Sequence, residues 1–160
     1  MRFKIKWLNH IKMGYLALIY IAFYLFFIYP DFEHKEFVPL ALVSLPLIVF
    51  VFPVLFIHVQ YFINDFNKEF ELNYPDSELI IFGNQDLKIP FKEINKIELH
   101  KRNMEGDGGI SWFPWDQYSY VQVFYSENKS VKITCLSYGK NFPIPLEVLI
   151  INRPLPYFKK

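Results

Sequence analysis

Charged residues are missing from two long windows of this chain. None occurs between Met13 and Tyr29 and none between Phe37 and Ile63, although charged side chains make up 21% of the 160 residues. Windows of that kind point to an N-terminal end embedded in a membrane. Cysteine is nearly missing too. Cys135 stands alone, which excludes an intramolecular disulfide and fits a reducing compartment. The net charge is only +1, so nucleic acid would meet no electrostatic footprint and is not expected as a partner.

Convergent chemistry is missing as well. His10, His34, His58 and His100 are spread along the chain and are not expected to form one site, and Cys135 has no histidine near it in sequence. Glu105, Asp107 and Asp116 lack the ligand number and spacing of a calcium loop. Lysine and arginine do not gather on one turn: YPDS and GNQD are acidic or neutral, so no specific phosphoinositide site is expected. Lys88, Lys92 and Lys96 read as a solvated face. No enzymatic activity, cofactor or metal is expected.

The first uncharged window, MGYLALIYIAFYLFFIY, holds nine Leu, Ile and Phe residues. At roughly −0.3 to −0.6 kcal/mol each, they favour insertion by about 3 to 5 kcal/mol. With Ile11 and Lys12 it predicts a span over about 11–29. A cleaved signal peptide would need a small-residue site, and Tyr29-Pro30-Asp31-Phe32 offers none. The second window predicts a span over 37–63, long enough to tilt or kink. Pro39, Pro46 and Pro53 are seven apart and return to nearly one face. Pro39 suits the first turn; Pro46 and Pro53 are predicted kinks whose freed carbonyls need cover from Ser44 or the first helix. His58 and Gln60 near the exit read as interfacial.

Residues 1–66 thus read as a transmembrane helical hairpin joined by the short connector PDFEHKE. Arg2, Lys4, Lys6 and Lys12 precede the first span, against Lys35 alone in the connector, and the positive-inside rule puts both termini in the cytoplasm. The expectation is a multi-pass protein of the cytoplasmic membrane.

From residue 67 to 160 the period changes. Phe70 and Leu72 alternate with Glu69 and Glu71, Leu87, Ile89 and Phe91 with Lys88 and Pro90, and Ile97 and Leu99 with Lys96, Glu98 and His100. Long strands follow at 117–126 and 130–136. No stretch of ten residues here has a strong helical period. Six strands joined by short turns predict a small antiparallel barrel or sandwich.

The segments LIIFGNQDLKIPFKEINKIELHK, YSYVQVFY and SVKITCL, behind two apolar spans, resemble bacterial pleckstrin-homology-like domains of the YcxB-like type, over roughly Phe70 to Leu136. The resemblance implies a strongly bent antiparallel sheet, a partly open barrel, that serves interaction and not catalysis. It also implies a closing C-terminal helix. In this chain Pro143, Pro145, Pro154 and Pro156 leave only Leu146 to Asn152 free for a turn or two, so that helix is expected to be short or absent.

The densest aromatic stretch is SWFPWDQYSYVQVFY, Ser111 to Tyr125. Tyr118, Tyr120, Gln122 and Phe124 share one strand face, and Ser119, Val121, Val123 and Tyr125 the other, as in a central strand covered on both sides. Trp115, Tyr118, Tyr120 and Phe124 are candidate core, with Trp115 over the barrel end. Trp112 and Phe113, after the glycine-rich run MEGDGG, are the candidate contact with membrane or partner. Two functions stay open. One is a membrane-anchored interaction module whose β domain binds a protein partner or self-associates. The other is a small immunity or stress protein acting through its proline-kinked hairpin.

Overall fold

The computed structural model describes residues 1–28, 37–83, 86–102, 113–126, 129–143 and 146–158, without the side chains of 27–28, 37–43 and 46–47. Helix α1 (Trp7–Phe23) continues through a π-helical turn, Tyr24–Ile28, and α2 runs unbroken from Phe37 to Asp65 across all three prolines. The Tyr24 hydroxyl lies 2.9 Å from Ser44 Oγ, so the first helix does reach the second beside the proline-bearing turns. Both helices pair to form an apolar hairpin. The stretches Trp7–Phe26 and Ile48–Asp65 are long and apolar enough, by length and composition, to cross a membrane.

Eight strands form two sheets among the described residues: β1 (Arg2–Lys4), β2 (Glu69–Asn73), β3 (Glu78–Phe82), β4 (Leu87–Pro90), β5 (Ile94–Lys101), β6 (Ser119–Tyr125), β7 (Lys129–Thr134) and β8 (Leu149–Asn152). The first sheet has the order β1-β2-β3-β4 and the second β7-β6-β5-β8. Alternation decides which side chains meet between them. Phe3, Phe70, Leu72, Leu79, Ile81 and Ile89 of the first sheet close on Ile97, Val121, Val123 and Ile133 of the second. Each fully buried large side chain contributes roughly 1.5–3 kcal/mol relative to exposure.

The second sheet also has a buried outer face. Val54, Ile57 and Tyr61 of α2, with Met13 and Ala17 of α1, pack on Tyr118, Tyr120, Cys135 and Leu136. The spacing 54, 57, 61 keeps one stripe of α2 on the sheet. The helices are therefore a third layer, and β6 is covered on both sides.

Three expectations are corrected. Arg2–Lys4, ahead of the hairpin, is a strand of the first sheet, with Phe3 opposite Phe70, because the antiparallel hairpin returns the chain to where it began. Leu149–Asn152 is a strand and not a helical turn: it lies parallel on β5, Leu99 opposite Ile150, where an open edge offers unpaired N–H and C=O groups. Phe91 leaves the alternation, since β4 ends at Pro90 and Phe91–Glu93 is a 3₁₀ turn whose Phe91 N–H donates to Ser77 O at 2.7 Å. Among the described residues the only α-helix after Asp65 is α3 (Cys135–Tyr138).

Phe3 is 5% exposed and stacks on Phe70 at 5.7 Å. Phe3→Ala is therefore expected to cost about 3–5 kcal/mol in urea unfolding of the full chain. A loss within about 0.5 kcal/mol, as for exposed positions, would show that β1 is a loose tail.

Candidate interaction site

The helices meet the sheets at one buried carboxylate. Asp65, the last residue of α2, is 1% exposed, and its Oδ2 accepts from Thr134 N at 3.1 Å, Thr134 Oγ1 at 2.8 Å and Ser137 Oγ at 2.5 Å. Its Oδ1 accepts from Asn64 Nδ2 at 2.6 Å. Thr134 Oγ1 in turn accepts from Leu136 N and caps α3. The far end of α3 is held by α1, where Asn9 Nδ2 donates to Leu136 O at 2.8 Å. Gly139 closes the turn at a φ of 81°, a left-handed conformation natural to glycine.

The C-terminal tail straps the same helix. Tyr61 donates to Pro156 O at 2.5 Å, Phe158 N donates to Gln60 Oε1 at 2.8 Å, and the Phe158 ring stacks on Tyr61 at 5.2 Å. Beside the strap His100 is buried, stacked on Tyr120 at 4.4 Å, and accepts from Arg153 Nε at Nδ1. Its Nε2 is 3.0 Å from Glu98 Oε2, within ion-pair distance but not aligned as a hydrogen bond. Burial pushes His100 below the ordinary histidine range, against the pull of Glu98.

A polar chain crosses the joint. His10 Nδ1 is 2.8 Å from His58 Nε2, and His58 Nδ1 is 2.8 Å from the Tyr118 hydroxyl. The reading that the histidines share no site is corrected for this pair, since antiparallel helices set the start of α1 against the end of α2. Burial raises the Tyr118 phenol above its usual range, so it stays protonated. Above it the two helices enclose a groove of about 310 Å³ walled by Ile11, Leu18, Ile21, Val54 and Leu55.

The aromatic turn leans on α2. Phe113 and Trp115 stack at 4.9 Å and lie 6.1 and 6.3 Å from Phe50, which stacks on Tyr20 of α1. Asp116, buried, shapes the turn: it accepts from Phe113 N at 2.9 Å and from Arg102 Nη1 at 3.0 Å, and Arg102 covers the Phe113 ring. Trp115 is half-buried against the helices and not within the inter-sheet core. Tyr118 and Tyr120 are buried under α2, Phe124 is half-buried, and Trp112 lies outside the described residues. Pro53 is half-buried on α2; of Pro46 only its place in the helix is described. Asp65 and Phe50 went unmarked in the sequence, each being one ordinary residue until a distant partner meets it, and His10 read there only as one of four scattered histidines.

A cleft of about 640 Å³ opens at the hairpin's foot, with Arg2, Lys4 and Lys68 beside Phe62 and Phe66. Arg2 and Lys4 both pair with Glu69. Among the described residues no group of three His, Cys, Asp or Glu side chains is placed to hold a metal.

Two four-stranded sheets, with the outer face of the second packed on the helices, frame these contacts. Compared with known families, residues 3–141 match the PH domain. The chain belongs to the PH-domain family. PH-like domains are generally non-catalytic interaction modules. No curated protein and no solved structure matches the chain. The match begins within β1, spans the hairpin and ends just past α3, so both helices lie within the matched residues.

Asp65→Leu would orphan the donors Thr134 N, Thr134 Oγ1 and Ser137 Oγ. At ~1–3 kcal/mol per orphaned donor, a loss of about 3 kcal/mol or more is expected, with Asp65→Asn milder because one carbonyl oxygen remains. Cys135 reports the unfolding. Burial pushes its thiol up to about 12, whereas an exposed thiol near pKa ~8.5 is about a quarter ionised at pH ~8. Native protein should therefore resist iodoacetamide at that pH and react fully in denaturant. Rapid labelling of the native thiol would place Cys135 in an accessible setting and discard this account of the joint.

Proposed function

We propose that this PH-domain protein is a non-catalytic integral membrane protein of the bacterial YcxB-like type. The hairpin within residues 1–66 crosses the cytoplasmic membrane twice. Residues 67–160, joined by strand β1, form the interaction domain at its inner face, with both termini cytoplasmic. There the domain binds a protein partner or a second copy. The observation that carries the reading is an apolar belt on the side of the hairpin away from the sheet: Phe26, Ile48 and Phe52 are 77%, 61% and 67% exposed. Water would oppose such a surface and lipid would not. The basic residues Arg2, Lys4, Lys6 and Lys68 cluster at the sheet end, which agrees with a cytoplasmic foot. The alternative, a hairpin acting by itself, finds no support in helices whose inner stripe is buried under the PH domain.

Depth follows from length. Crossing ~30 Å takes about 20 helical residues at ~1.5 Å each, so a crossing counted from Phe37 reaches Phe56. Phe50 then lies inside the hydrocarbon, and Phe113 and Trp115, packed on it, sit at that depth in the inner leaflet. The aromatic turn, which Trp112 precedes in sequence, is thus the domain's own contact with the bilayer, as the interfacial preference of tryptophan favours.

Two measurements test this. A fluorescent protein that matures only in the cytoplasm should light up when fused after Lys160; an active periplasmic phosphatase at that position instead reverses the topology. In a chain carrying Trp7→Phe and Trp112→Phe, Trp115 fluorescence should be quenched by lipids brominated along the acyl chain and not by aqueous iodide. The opposite pattern would remove the aromatic turn from the bilayer.

A further inference from the structure

The groove between α1 and α2 has a shape that bulk lipid contact does not require. Its floor is Gly14, Ala17 and Tyr118, and small residues there keep it open. Its upper walls are aliphatic. Its lower end carries Trp7, which is 79% exposed, and the His10–His58 pair.

The hydrogen-bond chain gives that end a direction. Among the described residues no acceptor other than His58 Nδ1 pairs with the Tyr118 hydroxyl, so the chain is assigned with Tyr118 as the donor to His58. His58 Nε2–H then donates to His10 Nδ1, and the proton of His10 is left on Nε2. His10 is half-buried, and its one hydrogen bond among the described residues is made through Nδ1. Its Nε2 is then an N–H donor at one end of an otherwise apolar trough.

The trough's length matches one leaflet. His10 and Ile21 are eleven positions apart, about 16 Å of helix, against half of ~30 Å. On the membrane reading above, on which this inference rests, His58 lies just past the residues that cross the hydrocarbon, at the level of lipid carbonyls and phosphates. Arg2, Lys4 and Lys6 lie toward the same end. We infer that the groove holds one acyl chain of an inner-leaflet phospholipid, lying between Gly14 and Leu55, with a headgroup oxygen accepting from His10 Nε2. Such a lipid would bridge the hairpin to Tyr118 and so to the PH domain.

The test uses the full chain in nanodiscs of phosphatidylcholine and phosphatidylglycerol, doped with a phosphatidylglycerol that bears a diazirine in one acyl chain. After irradiation the labelled residues are mapped by mass spectrometry. Ile11, Leu18 and Leu55 should carry roughly tenfold more label than the outward Ile19, Phe52 and Phe56, the ratio that about 1.4 kcal/mol of preference gives. A Cβ at Gly14 would meet the Tyr118 oxygen at 3.9 Å without a clash, so Gly14→Leu should fill the floor and remove that excess. Leu18→Trp, at a half-exposed wall position outside the core, should do the same if Gly14→Leu fails to fold. His10→Leu should lower the excess by a smaller factor. Even labelling of groove and outward residues, or an excess unchanged by either filling variant, overturns the inference while leaving the membrane reading intact. A chain that stays out of the nanodiscs overturns both.

Discussion

Asp65 is the interaction on which the arrangement depends. A carboxylate removed from water must have its oxygens satisfied, and here three donors from the β7–α3 turn and one from Asn64 supply that. Those donors are themselves short of partners at the start of α3, so each side completes the other. The consequence is mechanical: α2 cannot swing away from the second sheet without stranding a buried charge and an uncapped turn. Asn9 repeats the device from α1 at the other end of α3.

Strand β6 carries the second constraint. It presents Val121 and Val123 to the inter-sheet core and Tyr120 to the helices. A strand apolar on both faces is stable only between two covers, and here the covers are the other sheet and the hairpin. The PH domain is thereby built around its own helices, with β1 before them and β2 after them paired in one sheet. That pairing also brings the basic N-terminal residues to the foot of the hairpin.

The functional proposal grows from the same geometry. On that proposal, a hairpin held on one side by the sheet and apolar on the other would orient the PH domain toward lipid on a fixed face, with the Phe50–Phe113–Trp115 contacts beside it. Recognition of a partner would then take place on the surfaces left over, among them the open edge of β8 with exposed Leu149 and Ile150.

Period and charge are local properties, and they were legible in the residues themselves. Two uncharged windows marked the helices, and two-residue alternation marked β2, β5, β6 and β7, because each pattern reflects the environment on either side of one element. What the residues could not reveal were meetings between elements. Arg2–Lys4 carries too short a pattern to announce a strand and became one only when Phe70 stood opposite Phe3. Leu149–Asn152 is equally short, and the open edge of β5 decided its conformation. His10 and His58 lie 48 residues apart, and only the antiparallel return of the chain brought their nitrogens to hydrogen-bond distance. The sequence alone determined that this protein has two apolar helices and a β domain with one doubly buried strand. Tertiary structure decided that they form one body, since burial of Asp65 and Tyr118 requires donors and walls from elements distant in the chain.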